Sequence, residues 1–198
     1  METLLMAIPF AAAIAVVAVL WIYRKPRHVD AADTGDDADA QDAGGRALPI
    51  NKCQMARVRH VIDGDTLVAT TATQEINIRL SAIDCPENGQ HWGDIATLEL
   101  MNLVGGRKIA FEGHATDRFG RTIATVYVRD VDNDEWTDVN ARMIVRGHAW
   151  VTRRDYKYLP KSRKAELNRL ERWAQRKRAG LWKSDVRVPP WQWRAGNF

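Results

Sequence analysis

Beyond residue 54 the hydrophobic positions fall into short runs whose period changes, and the changes mark out elements. Met55 to Ile62 (MARVRHVI) alternates apolar and basic residues in its first half, as a half-buried strand does. Asp63-Gly64 then supplies a tight-turn dipeptide, and Thr66 to Thr70 reads as the returning strand. Ile76 to Ser81 (INIRLS) alternates strictly, which turns Ile76, Ile78 and Leu80 inward and leaves Arg79 on the other face. That run stops at Asp84-Cys85-Pro86, because proline cannot donate to a ladder. From Trp92 to Val104 the period lengthens. Ile95, Leu98 and the Met101-Asn102-Leu103 group recur at helical spacing before Gly105-Gly106. Lys108 to Glu112 and Arg121 to Arg129 read as fourth and fifth strands. A second helix is expected from an Asp138 cap through Arg146 to a stop at Gly147. A third should run from near Pro160 to Gly180. Its Leu167, Leu170, Trp173 and Ala174 share an apolar face, and eight lysines and arginines between Lys161 and Arg178 coat the rest. Five short strands with a helix between the third and fourth predict an α+β domain. Its core is a Greek-key barrel of the OB type, with three helices closing one end.

The pattern upstream is different. Leu4 to Tyr23 is almost unbroken apolar sequence, and about 20 such residues match the length of a membrane-spanning helix. Met1-Glu2 offers no positive side chain ahead of the run, and Trp21-Ile22-Tyr23 with Arg24, Lys25 and Arg27 suits a membrane interface. The run therefore reads as an uncleaved N-terminal transmembrane anchor, with a positive flank that votes for a cytoplasmic C-terminal side. Val29 to Gly45 holds six aspartates and no lysine or arginine, a composition that cannot bury enough apolar surface to order itself. The expected organisation is an anchor with its basic flank over 1–28, an acidic linker over 29–46, the folded domain over 47–184, and a Pro/Trp-rich tail over 185–198.

Charge sharpens this picture. The net charge is +4, but from Gly44 onward there are 26 Lys+Arg against 18 Asp+Glu. A basic domain behind an acidic tether suits a polyanionic partner such as nucleic acid, although many soluble domains are mildly basic. Cys53 and Cys85 are the two cysteines and have no metal-type spacing. Both a disulfide outside the cytoplasm and two free thiols inside it fit. The five histidines form no HxxxH or HxH pair.

The charged residues that interrupt the strands carry the chemistry. Asp63-Gly64-Asp65-Thr66, Arg79-Leu80 leading to Asp84-Cys85-Pro86-Glu87, and Asp117-Arg118-Phe119-Gly120-Arg121 follow in order. Each alone has a plainer reading, as a hairpin turn, solvated loop charges or strand-edge residues. Together they supply what metal-assisted cleavage of a phosphodiester requires. Carboxylates hold a hard cation and steer water, while arginines neutralise a phosphate gaining charge. Oxygen ligands without a histidine or cysteine set favour Ca²⁺ or Mg²⁺ over zinc.

Read as blocks, VIDGDT, IRLSAIDCPE, DRFGRTIATVYV, DVNARMIVRGHAWV and AQRKRAGLW resemble successive segments of the staphylococcal nuclease, or thermonuclease, family. The resemblance runs from about Cys53 to Lys183 in one order, and the closing PPWQWR resembles the tail of many bacterial members. It implies an OB barrel with three helices, calcium as cofactor, and DNA and RNA as substrates. Carried over by position, it implies Asp65 and Asp84 as calcium ligands, with the backbone carbonyl of Cys85 and support from Asp63. Glu87 becomes the residue that orients or deprotonates water, and Arg79 and Arg121 become the phosphate-binding arginines. Arg118 and Phe119 are implied as further substrate contacts. Two positions depart from the family pattern. Cys85 replaces a threonine or alanine, which a main-chain ligand tolerates, and Phe119 replaces a tyrosine whose hydroxyl contacts phosphate.

The expectation is a membrane-tethered, calcium-dependent nuclease with little sequence preference, acting on single-stranded or locally unpaired DNA or RNA, with no protein partner inferable. A barrel that holds nucleic acid without cutting it is the rival reading, and a docking domain on a membrane protein is a third. The hazard of a nonspecific nuclease to its host argues for a domain outside the cytoplasm, against the positive-flank rule.

Overall fold

Segments of period two become the staves of a closed barrel. The computed structural model describes residues 48–130 and 134–196. Five strands close on themselves: β1 (Gln54–Asp63), β2 (Thr66–Thr70), β3 (Glu75–Leu80), β5 (Lys108–Thr116) and β6 (Thr122–Arg129). The order is β3-β2-β1-β5-β6, and a parallel β3–β6 pairing that sets Arg79 beside Ile123 completes the circle. This is the OB connectivity. Bulges after Val58 and Val61 in β1, and after Gly113 in β5, supply the extra twist that closure demands. Leu67, Ile78, Leu80, Ile109, Phe111 and Val126 are fully buried in the core.

Three short strands escaped the periodicity argument. β4 (Ile83–Asp84) pairs with β8 (Trp150–Val151), and β7 (Trp136–Asp138) extends the sheet beside β6. Two or three residues are too few to display a period.

The helices are α1 (Gly93–Val104), α2 (Val139–Val145), α3 (Lys161–Arg176) and a final short α4 (Pro190–Arg194). Asp138 caps α2 by accepting the Ala141 amide at 2.9 Å. Along α1 the apolar stripe is displaced from the expected one. Ala96, Leu100 and Val104 are buried, whereas Ile95, Leu98 and Met101 are 44%, 54% and 47% exposed. The β1–β2 turn approaches so closely that a Cβ on Gly64 would lie 2.9 Å from Cβ of Ala96, so only a small side chain fits there.

The third helix ends at Arg176 rather than Gly180, because Arg178 adopts φ 53° and turns the chain back. Gly147 and Gly180, both expected as helix stops, pack backbone against backbone, and a Cβ on Gly147 would meet the Ala179 carbonyl at 2.1 Å. Arg163, one of the eight basic residues expected on the outside of α3, turns inward to pair with Asp138 at 2.7 Å and Glu166 at 3.0 Å. Leu167, Leu170 and Ala174 form the buried face as expected.

Cys53 and Cys85 are free thiols, each donating to a different carbonyl. Among the described residues no helix is long and apolar enough to cross a membrane. The expected anchor and linker, 1–46, lie outside the described residues.

Two tests follow from this packing. A methyl on Gly64 would also meet Cβ of Cys85 at 2.7 Å, and neither contact is the end of a flexible chain. Gly64→Ala should lower stability in urea unfolding by about 1–3 kcal/mol, the usual cost of overpacking. The second test concerns pH. His148 accepts the Trp92 indole N–H at Nδ1, 3.2 Å away. Burial lowers its pKa from the ordinary 6.5, with Arg146 adding and Glu99 opposing. In the folded state the neutral ring is favoured, so as pH falls through 6.5 the unfolded chain takes up a proton that the folded one resists. Stability should therefore drop between about pH 7.5 and about pH 5.5, and His148→Gln should reduce that drop.

Candidate active site

The site begins at the β1–β2 turn. The Asp63 carboxylate accepts the Asp65 amide at 3.0 Å, an Asx turn that aims Asp65 inward. Gly64 lets this turn lie directly on Cys85, whose thiol donates to the Gly64 carbonyl at 3.1 Å and whose amide donates to Asp65 Oδ2 at 2.9 Å. Pairing of β2 with β3 sets Arg79 opposite Thr66, next to Asp65. The Arg79 guanidinium then bridges two acids, Asp65 through one terminal nitrogen and Asp84 at 2.8 Å through the other. All three side chains are buried.

Asp84 reaches this cluster because the segment after β3 is held in an unusual conformation. Ala82 has φ 59°, a left-handed value that a non-glycine residue adopts only under constraint. Its amide donates to buried Asp155 at 3.0 Å and its carbonyl accepts from Thr152 at 2.9 Å. The β4–β8 pairing fixes Asp84 opposite Trp150. Asn140, fully buried, donates to the carbonyls of Ser81 and Ala124 at 3.0 and 3.2 Å and accepts the Val126 amide at 3.0 Å. That side chain stitches β6 to the end of β3.

Burial pushes the Asp65 carboxyl up to about 7. Arg79 opposes the rise, and the neighbouring Asp63 and Asp84 add to it. Burial also opposes the charge of Arg79, but Asp65 and Asp84 outweigh it and hold the guanidinium protonated. Burial raises the Cys85 thiol well above its ordinary value, so it stays a neutral packing group.

Glu87 sits on the loop beyond Pro86, its amide held by the Gln90 side chain at 2.9 Å. Its carboxylate is paired with Arg194, which also reaches Asp84 Oδ2 at 2.7 Å. The other arm of the site is the β5–β6 hairpin. Asp117 accepts the amides of Phe119 and Arg121 at 2.9 and 3.0 Å and the Arg121 Nε at 2.8 Å. Against the cost of burial, these donors hold the Asp117 carboxyl below its ordinary value. Arg121 extends a terminal nitrogen to within 3.5 Å of Thr66 Oγ1, which itself donates to Asp65 at 3.1 Å. Phe119 is 66% exposed, with the guanidiniums of Arg118 and Arg121 at 4.7 and 5.4 Å from its ring centre.

One polar chain thus runs from Arg121 through Thr66, Asp65, Arg79, Asp84 and Arg194 to Glu87. Beside it opens a cleft of about 540 Å³, lined by Arg79, Arg118, Phe119, Arg121, Lys157 and Tyr158 among others. The side chains expected at the site converge. Asp65, Arg79 and Asp84 are in contact at its centre, and Asp63 and Cys85 hold Asp65 by hydrogen bonds. Glu87 joins through Arg194, and Arg121, Arg118 and Phe119 line the cleft. Sequence reading missed Arg194, Asp155, Asn140, Lys157 and Tyr158. Arg194 closes the PPWQWR stretch that resembles the tail of many bacterial members, but no sequence feature assigned that arginine a role.

Among the described residues no three His, Cys, Asp or Glu side chains gather as a ready metal cluster. Asp65 and Asp84 are hard oxygen donors already facing cationic nitrogen, and burial with acidic neighbours makes Asp65 short of positive charge. That donor set fits a hard cation holding few protein ligands.

Residues 77–184 match the family described as Staphylococcal nuclease homologue. The chain is 34% identical over 143 residues to a micrococcal nuclease of Shigella flexneri, covering 71% of this chain and 80% of that one. It is 36% identical over 140 residues to Protein ParB of Escherichia coli, 69% of this chain and 77% of that one. An uncharacterized endonuclease of Haemophilus influenzae is 32% identical over 145 residues, 73% of each chain. A profile spanning more than half of the chain and relatives aligned over most of their own length have one consequence: the chain belongs to the staphylococcal nuclease homologue family.

Proposed function

We propose that this domain is a metal-dependent nuclease that hydrolyses phosphodiester bonds in DNA or RNA, with calcium as its cation. The observation that supports this reading most is the convergence of Asp65, Asp84 and Arg79 on one buried point beside a basic cleft. Family membership and the name micrococcal nuclease on one relative support the reaction class.

Asp65 and Asp84 are the side chains that would hold the cation, with the Cys85 carbonyl as a main-chain ligand. When bound, the cation would act as a Lewis acid on a phosphate oxygen. The remaining roles belong to the chain's own groups. Arg79 uses its terminal nitrogens on the acids, and its Nε is buried without a hydrogen-bond partner. That nitrogen is a donor in reserve for a phosphate oxygen. Arg121, already fixed by Asp117, presents its outer nitrogen on the opposite side of Thr66. Two guanidiniums so placed would meet the charge that grows on the phosphate oxygens as water adds and the ester bond breaks. Glu87, whose side chain is 33% exposed, would orient the attacking water and take its proton.

Arg118 and Lys157 add positive charge along the cleft, and Phe119 and Tyr158 offer faces on which an unpaired base can stack. These groups address phosphate, cation or the flat face of a base, and none is aimed at a base edge. Little sequence preference and a preference for single-stranded or locally unpaired substrate follow. The apolar run at 4–23 would tether the enzyme to a membrane as a single-pass anchor.

Cleavage of single-stranded DNA by the purified chain should require calcium and stop on chelation, and Glu87→Ala should abolish most of it while leaving DNA binding in place. Binding without cleavage under every cation condition would reassign the barrel to a holding role. Arg79→Lys and Arg121→Lys should each slow turnover by on the order of 10²–10³, because a lysine cannot reproduce the fork. Near-native kcat in both variants would remove the arginines from the mechanism.

A further inference from the structure

Residues 185–198 read from the sequence as a tail, yet in the fold 188–194 return to the acidic centre. Pro190 is buried, and the Gln90 side chain donates to the Val188 carbonyl at 2.6 Å while its oxygen accepts the Glu87 amide. One glutamine therefore ties the tail to the loop that carries Glu87. From this anchorage α4 delivers Arg194. Its terminal nitrogens lie 2.7 Å from Asp84 Oδ2 and 3.3 Å from Asp84 Oδ1, and one of them also contacts Glu87.

The consequence is visible in the oxygen inventory. Asp84 Oδ1 accepts from Arg79 and Arg194, and Oδ2 accepts from Arg194. Asp65 Oδ1 accepts from Arg79 and Thr66, and Oδ2 from the Cys85 amide. A divalent ion approaching Asp84 meets the Arg194 guanidinium at both carboxylate oxygens, and the two like charges repel at that distance. Arg79 is enclosed on β3, with only 6% of its side chain exposed. Arg194 stands at the end of a five-residue helix with 41% of its side chain exposed. It is the group that can leave.

We infer that Arg194 is an internal counter-cation that closes the site. A divalent cation must displace it from Asp84, and its departure at the same time frees Glu87 and loosens the C-terminal segment. This rests on the reading of Asp65 and Asp84 as cation ligands. The exchange needs no covalent step: one single positive charge leaves and one double charge enters.

Calorimetric titration of the purified full-length chain with Ca²⁺ tests both claims separately. Arg194→Gln should bind Ca²⁺ on the order of tenfold more tightly than the unmodified chain, the worth of one charge-assisted hydrogen bond no longer opposing the ion. A second measurement needs no variant. Trypsin must seat the Arg194 side chain in its own pocket to cut after it, so pairing with Asp84 and Glu87 protects that bond. Ca²⁺ should therefore accelerate loss of residues 195–198, followed by mass spectrometry. Equal or weaker Ca²⁺ binding by Arg194→Gln overturns the inference while leaving the cation reading intact. If that variant fails to fold, a cleavage rate after Arg194 that Ca²⁺ does not raise overturns it. Absence of Ca²⁺ binding in both proteins overturns the cation reading and the inference with it.

Discussion

The shared guanidinium of Arg79, placed between the buried carboxylates of Asp65 and Asp84, is the constraint on which the rest of the structure depends. Charges taken out of water are costly, and breaking such a cluster by removing one member costs more than the cluster contributes, because the partners stay buried and uncompensated. The surroundings accordingly hold all three in place at once. Gly64 brings one turn onto Cys85, β4 and β8 hold Asp84, and Asp155 and Asn140 fix the backbone between Arg79 and Asp84. The pieces come from distant parts of the chain, so the site is complete only when the barrel is closed. Folding and assembly of the site draw on the same contacts.

Burial falls off with distance from that centre. Arg121 keeps a two-point grip on Asp117, but Arg118 and Phe119 lie at the tip of an exposed hairpin. A buried interior with an exposed rim suits a ligand whose phosphates recur identically while its bases vary. The rim then needs breadth rather than exact fit. Phe119 fits this division: it cannot donate to a phosphate, yet it offers a flat face flanked by two guanidiniums.

The barrel was legible because its strands are long enough to show a period and its turns carry Asp-Gly and Pro. The charged clusters were legible because they sit where those strands end. What stayed hidden has definite causes. β4, β7 and β8 are two or three residues long and exist through their partners rather than through their own pattern. On α1 Ala96, Leu100 and Val104 are buried while Ile95, Leu98 and Met101 are exposed. The close approach of the β1–β2 turn puts the small Ala96 on the inner face, so the buried stripe is displaced from the expected one. Arg163 looked like one more outer charge on a basic helix, and only the arrival of Asp138 from α2 turns it inward. Asp155 and Asn140 act by holding backbone groups remote in sequence, and no local spacing encodes that.

Arg194 is the extreme case, since its contact with Asp84 spans 110 residues. Local charge balance nevertheless gives it a rationale. Three carboxylates, Asp65, Asp84 and Glu87, share two guanidiniums, Arg79 and Arg194, so the cluster as folded holds one more negative than positive charge. Burial is the main cause of the upward displacement of the Asp65 carboxyl to about 7, with Arg79 opposing it. Exchange of Arg194 for a divalent ion would balance the three carboxylates, with Arg79 in place. The tail therefore stabilises the acids well enough for the domain to fold and incompletely enough to be replaced.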